Sequence, residues 1–133
     1  MFEVKPLVDR QEADNLSMSI FGQTLPTGNV ELGLWTGAVL VGFVTGQALF
    51  EEAELYYLAL APHVRRQGLG KQLLAAFFET CRSKGVEAIF LEVREGNVSA
   101  ISLYEKSGFE PMGQRKNYYP DGENAVLMRR SLV

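Results

Sequence analysis

Apolar side chains at Phe2, Val4 and Leu7 with polar ones between them give a period near two, which predicts a short strand. From Arg10 to Phe21 the period changes. Ala13, Leu16 and Ile20 recur at helical spacing behind Asp9, a residue type that caps helices. Gly22 to Asn29, with Pro26 and Gly28, reads as a loop. Two strand-like runs follow, Val30 to Trp35 and Ala38 to Gln47, and the Thr36-Gly37 pair between them predicts a hairpin turn. Glu51, Glu52 and Glu54 read as a solvated turn ahead of a further strand, Leu55 to Ala61. Beyond Pro62, the residues Leu69, Leu73, Phe77 and Cys81 mark one side of a helix that ends on Lys84-Gly85, a basic last turn and a glycine stop. Val86 to Arg94 is almost entirely apolar, as a strand covered on both faces would be, and Glu92 is the exception. Asn97 stands where it can cap a short helix carrying Ile101, Leu103 and Tyr104, which Gly108 closes. Phe109 to Lys116 and Asn124 to Arg130 read as strands joined by a polar loop containing Tyr118 and Tyr119. The order β-α-β-β-β-α-β-α-β-β predicts an α/β (α+β) fold, one mixed sheet with helices on its faces, built from residues 1–133 as a single domain.

Composition narrows the function classes. A chain of 133 residues, 47% hydrophobic and 22% charged, buries a core without metal or disulfide staples. A net charge of −3 and a pI near 5.2 weigh against a nucleic-acid partner and suit a cationic protein or amine. The single Cys81 forms no internal disulfide, and its helical spacing behind Phe77 predicts a buried structural thiol. The amino-terminal Met-Phe-Glu-Val-Lys-Pro lacks the layout of a signal peptide, so a cytoplasmic location is expected. The longest apolar stretch, Ala38 to Val44, is far shorter than the roughly 20 residues that span a bilayer, so no membrane partner is expected. The pattern sets no oligomeric state.

Chemistry concentrates after Pro62. Arg65-Arg-Gln-Gly-Leu-Gly-Lys71 places glycines at a helix start, where free N–H groups and a partial positive charge make a seat for phosphate. The same residues also fit a plain tight turn with solvated cations. Two other phosphate motifs are excluded. Arg65 stands where a Walker loop needs its first glycine and Gln72 where it needs Ser or Thr, and Leu73 stands at the third glycine of the dinucleotide fingerprint. Glu92, a carboxylate inside an apolar strand, is either paired with Arg94, turned to solvent at a strand end, or held for use as a base. Tyr104, three residues after Ile101, fits a core aromatic as well as a proton donor. His63, the one histidine, has no Cys or carboxylate at a ligand spacing, so no metal is expected.

Taken in order, Arg65-Arg-Gln-Gly-Leu-Gly70, the helix, Leu91-Glu-Val-Arg94, Asn97, Ser102-Leu-Tyr-Glu105 and Ser107-Gly-Phe109 resemble the GNAT acetyltransferases, from about Leu55 to the carboxyl terminus. Arg115-Lys-Asn-Tyr-Tyr-Pro120 and Glu123-Asn-Ala-Val-Leu-Met128 look most like the RimI-type branch, bacterial enzymes that acetylate the amino-terminal alanine of a small-subunit ribosomal protein. The resemblance implies a mostly antiparallel sheet of about seven strands, splayed between Leu55–Ala61 and Val86–Arg94. It implies acetyl-CoA as cosubstrate, with Arg65, Arg66, Gln67, Gly68, Leu69, Gly70 and Lys71 at its pyrophosphate. Leu58, Ala59 and Leu60 would pair through their backbones with the pantetheine arm. Glu92 would accept a proton, Asn97 would touch CoA, and Tyr104 would both touch CoA and donate a proton. An α-ammonium group, with a pKa of about 7.7 to 8.0, would lose its proton to Glu92 directly or through water. Its attack would give an oxyanion near a Leu60 backbone N–H and a thiolate for Tyr104 to protonate. At Phe21-Gly-Gln-Thr-Leu-Pro26 the chain departs from the Pro-Trp-Ser segment usual in that branch. The departure leaves a small amine or a lysine side chain as a rival acceptor. A rival of another class, a CoA-binding module without catalysis, requires the glycine loop to bind while Glu92 and Tyr104 are structural.

Overall fold

The computed structural model describes residues 1–133. The strands are β1 (Phe2–Pro6), β2 (Val30–Thr36), β3 (Val39–Leu49), β4 (Glu52–Leu60), β5 (Ala88–Arg94), β6 (Glu110–Arg115) and β7 (Ala125–Ser131). The helices are α1 (Arg10–Phe21), α2 (Leu69–Ser83) and α3 (Val98–Lys106), and one 3₁₀ turn covers Pro62–Val64. Local signals set the helix ends. Asp9 accepts from the Gln11 amide at 3.0 Å, and Gly22 closes α1 with φ at +73°.

The strands form one seven-stranded sheet in the order β1-β2-β3-β4-β5-β7-β6, antiparallel except between β4 and β5. That exception shapes the molecule. β4 and β5 are in register only at Glu52–Ala88, Ala53–Ile89 and Glu54–Phe90, after which they part. β4 stays paired to β3 as far as Gly42–Leu60, so its other edge is open from Leu55 onward. A bulge lies where the strands part. Thr45 faces Tyr57 while Gly46 faces Leu55, which leaves Tyr56 as the extra residue and turns β4 away from its neighbour.

The two faces are covered unequally. On one, Leu69, Leu73, Leu74, Phe77, Phe78 and Cys81 of α2 pack with Val44, Leu55, Ile89, Leu91 and Met128 in a cluster of 23 buried residues that also contains Tyr104. Each large side chain fully buried there stabilises by roughly 1.5 to 3 kcal/mol, and Phe77→Ala would remove about 3 to 5 kcal/mol. On the other, α1 lies over the amino-terminal strands alone, its Ala13 packing with Leu25, Trp35, Leu40, Phe43 and Ala59. No helix covers β5, β7 and β6 on that side.

Some boundaries differ from the sequence pattern. The hairpin turn is Gly37-Ala38, closed by the Thr36–Val39 pair, because the first central position needs a positive φ and Gly37 supplies it at +60°. β4 starts at Glu52, so Glu52 and Glu54 are strand residues that alternate with buried Ala53 and Leu55. Their charge belongs to an exposed face. β5 starts at Ala88, and its outward residues Phe90, Glu92 and Arg94 are half-buried rather than covered, since no helix packs over them.

Candidate active site

The bend between β4 and α2 presents backbone donors. Arg66 and Gly68 both adopt left-handed conformations, at φ +66° and +77°, and the amides from Arg66 to Lys71 have no backbone acceptor. The first bond into α2 runs from the Gln72 amide to the Gly68 carbonyl at 3.3 Å. Gly68 caps the helix without a side chain, so this run of N–H groups faces outward at the positive end of α2. Arg66 and Lys71 are exposed beside it. Arg65 has a different duty: its Nε donates to the Leu60 carbonyl at 3.0 Å and ties the bend to the end of β4.

The two glycines are needed for different reasons. A Cβ on Gly68 would meet nothing within 4 Å, so the demand there is the positive φ. A Cβ on Gly70 would lie 2.9 Å from Leu103 Cδ2, so the demand there is contact between α2 and α3. That contact brings Tyr104, the next residue of α3, alongside the start of α2. Tyr104 is 7% exposed, stands edge-on to Phe109 at 5.5 Å, and burial pushes its pKa up to about 12. Asn97 serves as the cap of α3, its side-chain oxygen accepting from the Ala100 amide at 3.2 Å.

The open edge of β4 points the same way. The Ala61 amide bonds to the Val41 carbonyl, and in an antiparallel ladder bonded and non-bonded pairs alternate. Ala59 therefore directs its N–H and C=O to Phe43, whereas Leu58 and Leu60 direct theirs to the unpaired side. A ligand added as a strand meets the N–H and C=O of Leu58 and the N–H of Leu60, whose carbonyl is held by Arg65, and finds no free polar group on Ala59.

Glu92 lies on the opposite face. Ile89, Leu91 and Val93 enter the core beneath α2, so the period of two turns Phe90, Glu92 and Arg94 the other way. Phe90 and Glu92 border an open cleft of about 210 Å³ whose lining also includes Glu54, Met112, Arg115 and Leu127. The Glu92 side chain is 28% exposed, and its cation is Arg115, with Nε 3.6 Å from Oε1. The Tyr118 hydroxyl faces the same carboxylate, which pushes the Tyr118 pKa up. The pairing of Glu92 with Arg94 that the sequence suggests is not made. Arg94 bonds Asp121 at 3.0 Å and Glu123 at 2.8 Å and lies 4.1 Å from the Tyr119 ring, because the β6–β7 loop folds back over it. The Glu123 amide and then the Arg94 guanidinium hold the Asp121 carboxyl below its usual range, and Arg94 followed by the Gly96 amide does the same for Glu123.

The amide-lined bend and Tyr104 thus occupy one face of the sheet and the carboxylate cleft the other. The parting of β4 and β5 joins them. A profile of the Acetyltransferase (GNAT) family matches residues 9–109. The chain belongs to the GNAT acetyltransferase family. A ribosomal protein bS18-alanine N-acetyltransferase of Haemophilus ducreyi is 42% identical over 93 residues, which is 67% of this chain and 64% of that protein. The Escherichia coli K12 protein of the same name is 41% identical over 92 residues, covering 67% of this chain and 62% of its own length. The aligned stretch is therefore less than two thirds of either relative. The crystal structure of the ribosomal-protein-S18-alanine N-acetyltransferase from Escherichia coli superposes with a TM-score of 0.90 at 30% identity, covering 99% of this chain and 94% of that one. The splayed, mostly antiparallel seven-stranded sheet implied by the sequence resemblance is the fold observed.

Several residues around this GNAT site carry no sequence signal of their own. Gln23, from the segment that departs from the RimI-type pattern, donates to the Tyr57 hydroxyl at 2.7 Å, and Phe21 packs on the Tyr57 ring at 5.1 Å. The segment is thereby fastened to β4 on the cleft face. Glu54 was legible only as part of an acidic run, and Arg115 only as part of a motif. Their approach to one cleft depends on strand order, which no local window contains.

Proposed function

We propose that this GNAT chain is an Nα-acetyltransferase that transfers acetyl from acetyl-CoA directly to the amino-terminal amine of a protein. We propose further that the acceptor is a small-subunit ribosomal protein beginning with alanine. The observation that carries this reading is the two-sided gap between β4 and β5, which gives cosubstrate and acceptor separate faces and one point of meeting. Acetyl-CoA supplies an activated thioester, and the chain supplies the rest. The amides of Arg66–Lys71, with Arg66 and Lys71, bind its diphosphate. The open N–H and C=O of Leu58 and the N–H of Leu60 hold its arm as an added strand. Glu92 takes the proton that an α-ammonium must lose before it attacks. Tyr104, its phenol protonated at neutral pH, donates to the leaving sulfur. The relatives named for the alanine of bS18 support the acceptor assignment. In this reading the enzyme works in the cytoplasm, beside the ribosomal proteins it modifies.

The test is CoA release with alanine-initiated peptides, peptides of other first residues, amino-blocked peptides with free lysine, and polyamines. Fastest release and a mass gain on the α-amine of alanine peptides is the expected result. Acetylation confined to lysine or polyamine would overturn it.

A further inference from the structure

Glu54 has no part in the roles assigned above, yet it lines the same cleft as Glu92. It is the last β4 residue in register with β5, opposite Phe90, and it is exposed. No cation forms an ion pair with it: Arg115, the cleft's own guanidinium, pairs with Glu92, and Arg129 sits 5.8 Å from the Phe90 ring centroid. Beside Glu54 the cleft wall is apolar, formed by Phe90, Leu127 and Met112, the last 56% exposed. An apolar bed that ends in an unpaired carboxylate fits a side chain with an aliphatic stem and a cationic head. Spacing sets which residue of the acceptor it meets. Phe90 is two residues from Glu92 along β5, about 7 Å at roughly 3.3 Å per residue, so an extended peptide with its amine at Glu92 reaches Glu54 at its second or third residue.

We infer that Glu54 is a specificity residue that selects acceptors with arginine or lysine at the second or third position, the stem lying on Phe90, Met112 and Leu127 and the head at the Glu54 carboxylate. The inference rests on the reading of the cleft as the acceptor site. It is tested with alanine-initiated peptides carrying arginine, lysine, citrulline or norleucine at position two, and the same series at position three. At one of the two positions, the parent enzyme shows kcat/KM about five- to tenfold higher for arginine and lysine than for citrulline, the size of one partly exposed charge-assisted contact. Glu54→Gln brings these peptides to parity, and Glu54→Lys reverses the order. A parent enzyme indifferent to charge at both positions, or a Glu54→Gln enzyme that keeps the preference, overturns the inference while leaving α-amine acetylation standing. Acetylation of no peptide at its α-amine removes the parent reading, and the inference with it.

Discussion

Glu92 and Tyr104 sit on opposite faces of one sheet, and this separates their effects. Glu92→Gln leaves the diphosphate seat untouched, so CoA affinity by calorimetry should stay within about twofold while turnover falls by roughly 10² to 10⁴, the worth of a positioned base. Tyr104→Phe should cost less. With the phenol at about 12 and an ordinary thiol near 8.5, full proton transfer to the sulfur runs uphill, so the variant loses mainly a hydrogen bond to the leaving group. A fall of about ten- to a hundredfold in single-turnover rate is expected. Equal losses in the two variants would contradict the division of labour. Burial also ties two groups to alkaline stability. Cys81, fully buried, is pushed from 9.0 to about 11, and Tyr104 from 10.0 to about 12. Both are raised acids, so above pH 9 the unfolded chain gives up these protons before the folded one does. Unfolding then releases protons, and stability falls as pH rises through that window. Urea midpoints at pH 7, 9 and 10.5 should decline, and Cys81→Ala should flatten the decline between 9 and 11. Thr45 offers a simpler check. Its hydroxyl is buried without a partner, so Thr45→Val, of the same shape, should raise the urea midpoint by the equivalent of about 1 to 2 kcal/mol.

The bend between β4 and α2 makes its demands through backbone geometry, and its two glycines should fail differently. Gly68→Ala keeps the space but strains a residue at φ +77°, which costs about 1 to 2 kcal/mol and turns the amides away from a common ligand. CoA affinity should drop about tenfold or more with a small loss of stability. Gly70→Ala drives a methyl into Leu103, so α3 must shift and Tyr104 with it; turnover should fall together with thermal stability. The start of α2 was legible because Leu69, Leu73, Phe77, Cys81 and the glycines are neighbours in sequence, and the caps at Asp9 and Asn97 for the same reason. The bulge at Tyr56 was not, because it exists only through pairing with Thr45 and Gly46 on another strand. Nor was the pairing of Glu92 with Arg115, which is made across β5, β7 and β6, whereas Arg94, the partner near in sequence, is taken by the β6–β7 loop. Glu54 reads as part of a turn in the sequence because its charge outweighs the alternation that begins at Ala53.

The sheet is continuous through one short parallel contact, and its function depends on how little of that contact there is. Three register pairs hold β4 to β5; the rest of the β4 edge is free because the bulge turns the strand away just beyond Glu54. An exposed strand edge inside a sheet is a liability in a protein with no ligand to cover it, and here the open N–H and C=O of Leu58 and the open N–H of Leu60 run toward the amides of Arg66–Lys71. One extended molecule that ends in a diphosphate satisfies both at once. Hydrogen exchange tests this without any turnover. On saturation with CoA, protection should rise at the Leu58 and Leu60 amides and across Arg66–Lys71, while Ala59, already bonded to Phe43, and the β1–β3 amides keep their rates. An alanine-initiated peptide added afterwards should slow exchange in the β6–β7 loop around Tyr118 and leave the bend unchanged, because it approaches from the other face. Protection at Ala59 in place of Leu58 and Leu60 would show that the ladder phase deduced from Ala61 is wrong. Protection of the Tyr118 loop by CoA alone would show that the two faces do not divide cosubstrate from acceptor.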